Sequence, residues 1–79
     1  MKIRVHITLK PGVLDPQGAA VRRSLDSLGF GGIEKVRQGK VIELDLKETD
    51  VLKATAQVEK MCEKLLANTV IENYSVEIL

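Results

Sequence analysis

A chain of 79 residues makes one domain, 1–79, and buries only about 60% of the surface its unfolded form exposes, so its core is thin. Twelve Lys and Arg are interspersed with eleven Asp and Glu for a net charge of +1, which leaves no basic stripe to grip a phosphate backbone and argues against nucleic acid. A single Cys permits no internal disulfide, no stretch approaches membrane-spanning length, and the alternation in "MKIRVHITLK" is unlike a signal peptide; a cytoplasmic protein without membrane attachment is expected.

The elements follow in a clear order. Ile3, Val5, Ile7 and Leu9 alternate with Lys2, Arg4, His6, Thr8 and Lys10, the period of a strand with one buried face. After the connector "LKPGVLDPQG", Asp15 and Pro16 are an N-cap and first-turn pair. Val21, Leu25 and Leu28 recur at helical spacing, and Gly29 supplies the stop. "IEKVRQGKVIELDL" reads as a hairpin turning near Gln38-Gly39, with Ile42, Leu44 and Leu46 on one side of its second arm. A second helix starts near Thr49 or Asp50. Its apolar stripe runs through Val51, Thr55, Val58, Cys62 and Leu65, with Leu66 beside it, and it ends at Ala67-Asn68 with Asn in a left-handed position. Tyr74, Val76 and Ile78 then share one face of a last strand.

The order βαββαβ with right-handed crossovers predicts an α+β fold, the ferredoxin-like plait: a four-stranded antiparallel sheet of order 4-1-3-2 with both helices on one face. The other face is polar, with Arg4, His6 and Thr8 expected beside Glu43 and Asp45 and interrupted by Val41 and Leu79. Such a face is either solvated or used for subunit packing.

Chemistry-bearing patterns are scarce. Cys62 lies on a helix and His6 on the opposite side of the sheet, so no thiol–imidazole pair is expected, and one Cys with one His cannot close a metal shell. "GFGGIEK" has Glu34 where a dinucleotide-binding loop needs its third glycine. Gly39-Lys40 lacks the remaining residues of a phosphate loop. Phe30 and Tyr74 are the only aromatics and fall outside the two central strands, unlike an RNA-binding plait. An amino-acid-sensing regulatory domain of the ACT type, which pairs through its edges and binds ligands at loops after the first strand, stands as the alternative reading.

The segments "LKPGVLDPQG", "SLGFGGIEKVRQGK", "IEL" and "MCEKLLAN" followed by "VIENY" resemble the PurS family, the small subunit of phosphoribosylformylglycinamidine synthase in de novo purine biosynthesis. The resemblance covers nearly the whole chain, with one departure: Thr69 stands where the family usually has proline. It implies a non-catalytic structural subunit of a glutamine- and ATP-dependent C–N ligase. The subunit would carry no catalytic, cofactor or metal residues of its own, with ATP and Mg on the large partner subunit. The implied partners are a second copy of the chain, the large ATP-dependent synthase and the glutaminase, with neither nucleic acid nor membrane. Glutamine yields ammonia, ATP activates the formamide oxygen of formylglycinamide ribonucleotide, and the small subunit helps bring the other two together. Ammonia released into water instead would be diluted and protonated.

Within that frame the connector Pro11, Gly12, Val13, Leu14, Asp15, Pro16, Gln17 and Gly18 is the candidate docking element. Its prolines stiffen it and its two aliphatics are candidate anchors. Gly18, in the first helical turn, points to close approach of another backbone; the alternative is that Val13 and Leu14 tuck under the chain's own helix ends. Arg37, Gly39 and Lys40 of the predicted turn form a second candidate contact, or a solvated hairpin tip.

Overall fold

The computed structural model describes residues 1–79. Strand β1 (Lys2–Leu9) lies at the centre of an antiparallel sheet, flanked by β2 (Lys40–Asp45) and β3 (Glu72–Ile78) in the order β2-β1-β3. Its alternation works as the sequence predicts: Ile3, Val5 and Ile7 are at most 1% exposed, and all project to one face. Register extends that face in both directions, since Ile3 pairs with Leu44 and Ile78, and Val5 with Ile42 and Val76.

Helix α2 (Val51–Met61) covers this face with Ala54 and Val58, each fully buried together with Cys62 just beyond the helix. Residues at i, i+4 and i+8 form one row along a helix, and small or branched side chains there let it approach the pleat closely. Asp50 caps it by accepting from the Leu52 and Lys53 amides, as the expected start requires.

The C-terminal end differs from expectation. Cys62–Leu66 is a π-helical turn, whose wider winding takes Leu65 off the stripe and leaves it 83% exposed. Val51, the other end of the expected stripe, is also exposed, so the working row is Ala54, Val58 and Cys62. Ala67 exits in an extended conformation (φ −125°, ψ 142°), and no residue other than glycine has positive φ, so Asn68 is not a left-handed cap.

The larger correction concerns the sheet, which has three strands rather than four. The segment Ile33–Arg37, expected as the first arm of a hairpin, joins no ladder. A two-residue hairpin turn needs a residue at positive φ, yet the glycines with positive φ are Gly12, Gly29 and Gly32, not Gly39. The chain therefore runs through Gln38-Gly39-Lys40 without reversing. Helix α1 (Pro16–Ser27) goes with it and packs on neither the sheet nor α2 in any substantial way, so only one helix covers the sheet. The result is elongated, 48 × 25 × 15 Å with a radius of gyration of 15.9 Å. A compact domain of this length would measure about 12 Å.

Truncation tests where the stability resides. Replacing fully buried Ile3 with Ala is expected to cost about 2–5 kcal/mol in denaturant unfolding. Leu65→Ala, at the displaced end of the stripe, is expected to change stability by less than about 0.5 kcal/mol. A large loss at Leu65 would place it in the core.

Candidate functional site: a latched helical arm and its connector

Helix α1 and the segment returning along it form an arm whose parts are tied by polar contacts. Asp15 is the N-cap; one carboxylate oxygen accepts from the Gly18 amide at 2.8 Å and the other from the Gln38 amide at 2.8 Å. One side chain thus caps a helix and fastens to it the chain arriving 23 residues later. These two backbone donors, Gln38 first and Gly18 second, hold the Asp15 carboxyl below its ordinary value, with Arg37 adding to the effect.

Gly18 is the buried residue of α1, and a Cβ there would collide with the Val36 carbonyl. The close backbone approach expected of Gly18 is therefore real, but the approaching backbone belongs to the same chain. Further along, Arg22 Nε donates to the Ile33 carbonyl at 2.8 Å, and Gln38 Nε2 donates to Gln17 Oε1 at 2.9 Å. At the far end Gly29, at φ +95°, closes a Schellman motif: its amide donates to Asp26 O and the Phe30 amide to Leu25 O.

The connector is held from the other side by Arg37, whose guanidinium donates from Nη1 to the Val13 carbonyl at 2.9 Å and from Nη2 to the Lys10 carbonyl at 3.2 Å. Arg37 is thus a clamp on the connector rather than a free hairpin tip. Val13 is half-buried, whereas Leu14 is 88% exposed, so the two aliphatics do not act as a pair tucked under the helix. Leu14, Asp15, Gln17, Gly39 and Lys40 line a cleft of about 460 Å³ at the arm's base, whose floor includes Ile7 and Leu9. The structure thus brings both candidate contacts, the connector and Gly39-Lys40, to one place. Pro11 and Gly12 sit apart in the exposed turn.

The opposite face of the sheet carries a ladder of charges. Arg4 lies between Glu43 (3.8 Å) and Glu77 (3.6 Å), Lys2 reaches Glu43 at 3.7 Å, and His6 Nε2 meets Glu77 Oε1 at 3.1 Å. The His6 contact holds the Glu77 carboxyl below its usual range, with Arg4 assisting. Lys2 rather than His6 stands opposite Asp45, and His6 stands opposite exposed Val41. Glu77 was not singled out from sequence, although its place on the polar side of the last strand's alternation marks it. Cys62 lies in the core on the other face, where burial first and then Glu63 and Glu59 push its thiol up and keep it unreactive. Tyr74 donates to Glu63 at 2.8 Å, which pushes its hydroxyl up to about 12. No group of three His, Cys, Asp or Glu is placed to hold a metal ion, and no helix is long and apolar enough to cross a membrane.

These features define a small α+β domain whose most elaborated surface is a projecting helical arm with an apolar connector at its base. The particular family follows from comparison: residues 2–79 match the sequence profile of PurS, phosphoribosylformylglycinamidine (FGAM) synthase, and the chain belongs to that family. It is 53% identical over 95% of its length to the FGAM synthase subunit PurS of Synechocystis, of which it covers 75%. It is 47% identical to that of Bacillus subtilis, over 98% of this chain and 90% of the relative. Among solved structures, B. subtilis PurS superposes with a TM-score of 0.84 at 46% identity, covering 96% of this chain and 94% of that one. A chain of the PurLQS structure from Thermotoga maritima gives 0.89 at 35% identity, covering 99% of this chain and 95% of that one. None of these matches supports the ACT-type alternative.

The Asp15 latch generates a pH prediction. Its folded-state value lies below the ordinary 3.8, so its contribution is fully present above 3.8 and is lost as pH falls through the depressed value. Amide exchange should show Gly18 and Gln38 losing protection together only in that acid window. Asp15→Asn should expose Gln38 already at neutral pH and remove the acid step. An acid step that persists in Asp15→Asn would assign it to another group.

Proposed function

We propose that this chain is a non-catalytic structural subunit of an FGAM synthase, bridging the ATP-dependent synthase and glutaminase subunits so that ammonia passes between them without entering bulk water. The observation that carries the reading is the near full-length likeness, at TM-score 0.89, to a chain of the T. maritima PurLQS structure. The chemistry assigned to this chain is assembly: ATP and Mg belong to the large subunit, and the small one works in the cytoplasm alongside its partners. It also associates with itself: the arm leaves Val21, Leu28 and Phe30 exposed, and the outer strands β2 and β3 each leave an open edge.

The connector is the docking element toward the other subunits. Leu14 offers an apolar anchor on a backbone already fixed by Pro11, Pro16, the Asp15 cap and the Arg37 clamp, so little ordering entropy remains to be lost on binding. Gly12 sets the connector's turn with a φ of +86°. Gln17, Gly39 and Lys40 line the cleft beside it, and Gly18 lets the returning chain pack against the helix at Val36.

Reconstitution tests this reading. The isolated chain should show no ATPase, glutaminase or synthase turnover, and its addition to the two partner subunits should raise glutamine-dependent product formation. Turnover by the isolated chain would overturn the assignment. Replacing Leu14 and Val13 with Ser should leave melting within a few degrees of the parent, because Leu14 is exposed and Val13 half-buried. Affinity for the partner subunits should fall about tenfold or more, equivalent to about 1.4 kcal/mol. Normal assembly by the double variant would remove the connector from the interface.

A further inference from the structure

The outer surface of α2 and its π-turn sorts its charges into two rows. Lys53, Gln57, Lys60 and Lys64 are all exposed and recur at i, i+4, i+7 and i+11, which strings them along one shoulder of the helix over about 16 Å. Leu52, Ala56, Glu59 and Glu63 recur at the same spacing along the other shoulder, the side where Glu63 accepts from the Tyr74 hydroxyl of β3. A helix stabilised by its own side chains interleaves the signs, with a Glu four residues before a Lys. Here the residue four after Glu59 is Glu63 and the residue four after Lys60 is Lys64, so each row repeats one sign. The four ion pairs all lie on the open face of the sheet, among Lys2, Arg4, His6, Glu43 and Glu77, and none involves a lysine of α2 or its π-turn.

The helix dipole does not explain the lysine row. Lys60 and Lys64 stand in the last turns, where cations are favoured, but Glu59 and Glu63 stand beside them, and Lys53 stands in a first turn that holds no acidic residue. The row is a cationic ridge without a counter-charge in its own chain.

We propose that Lys53, Lys60 and Lys64 dock an acidic protein surface on another subunit of the FGAM synthase, as a contact separate from the connector. A nucleic acid or an anionic membrane is the poorer fit, because the Glu row beside the lysines repels a continuous sheet of phosphate, whereas a protein surface can match both rows. Opposite charge brought onto the ridge relieves its like-charge repulsion, steers the encounter and fixes the register of the small subunit on its partner. The inference rests on the subunit reading above and adds a second contact to it.

Charge neutralisation tests the ridge. Binding of the parent chain to the purified partner subunits, singly and mixed, should weaken as salt rises. The triple variant Lys53→Gln, Lys60→Gln, Lys64→Gln should bind about tenfold more weakly at low salt and lose most of that salt dependence. The triple Lys→Arg variant keeps the charges and should bind like the parent. All three positions are exposed, and Gln and Arg form helices about as well as Lys, so melting should match the parent and report a folded chain. A Gln variant that binds the subunits as the parent does overturns the ridge while leaving the subunit reading in place; a parent that binds neither subunit overturns that reading and the ridge with it. A Gln variant that loses only self-association, or only adsorption to anionic vesicles or RNA, also overturns the proposal.

Discussion

The carboxylate of Asp15 joins what the rest of the arm depends on. By accepting from Gly18 with one oxygen and Gln38 with the other, it begins α1 and determines where the chain returning from α1 must lie. Gly18 then becomes a necessity, because a side chain there would occupy the place of the Val36 carbonyl. With both ends of the returning segment fastened, by Asp15 at Gln38 and by Arg22 at Ile33, the arm keeps its shape without a sheet beneath it. Bonds of this kind are individually modest, and several sharing one short segment restrict it strongly.

The core is correspondingly economical. Ile3, Val5 and Ile7 meet Ala54, Val58 and Cys62 in a single interlayer contact that accounts for nearly all fully buried side chains. This explains why a chain with 44% hydrophobic residues still leaves Leu14, Leu28, Phe30, Leu52, Leu65 and Val70 largely in solvent. Exposed apolar side chains in such number are unusual for an isolated small domain and fit a protein that works inside an assembly.

The two faces of the sheet divide labour in a way that also bears on chemistry. Lys2, Arg4 and His6 interleave with Glu43 and Glu77, so opposite charges neutralise one another over a solvent-facing surface. Pairs this exposed contribute little stability each. Cys62 and His6 are separated by the full thickness of the sheet, which follows directly from the two-residue period of β1 and the placement of α2.

Local pattern was sufficient for the strand alternation of Lys2–Leu9, the caps at Asp15 and Asp50, the stop at Gly29, the polar ladder around Arg4 and the family resemblance. Each of these depends on residues adjacent in the chain or on a simple period. Tertiary structure decided the rest: whether "VRQGK" turns or runs straight, what approaches Gly18, how a π-turn redirects Leu65, and which glutamate completes the charge ladder. The segment Ile33–Arg37 shows the physical reason. Its alternation specifies an extended strand, but whether such a segment enters a ladder depends on where the chain around it is held: the Gln38 amide is bound by Asp15 and Gly39 lacks the positive φ of a hairpin turn.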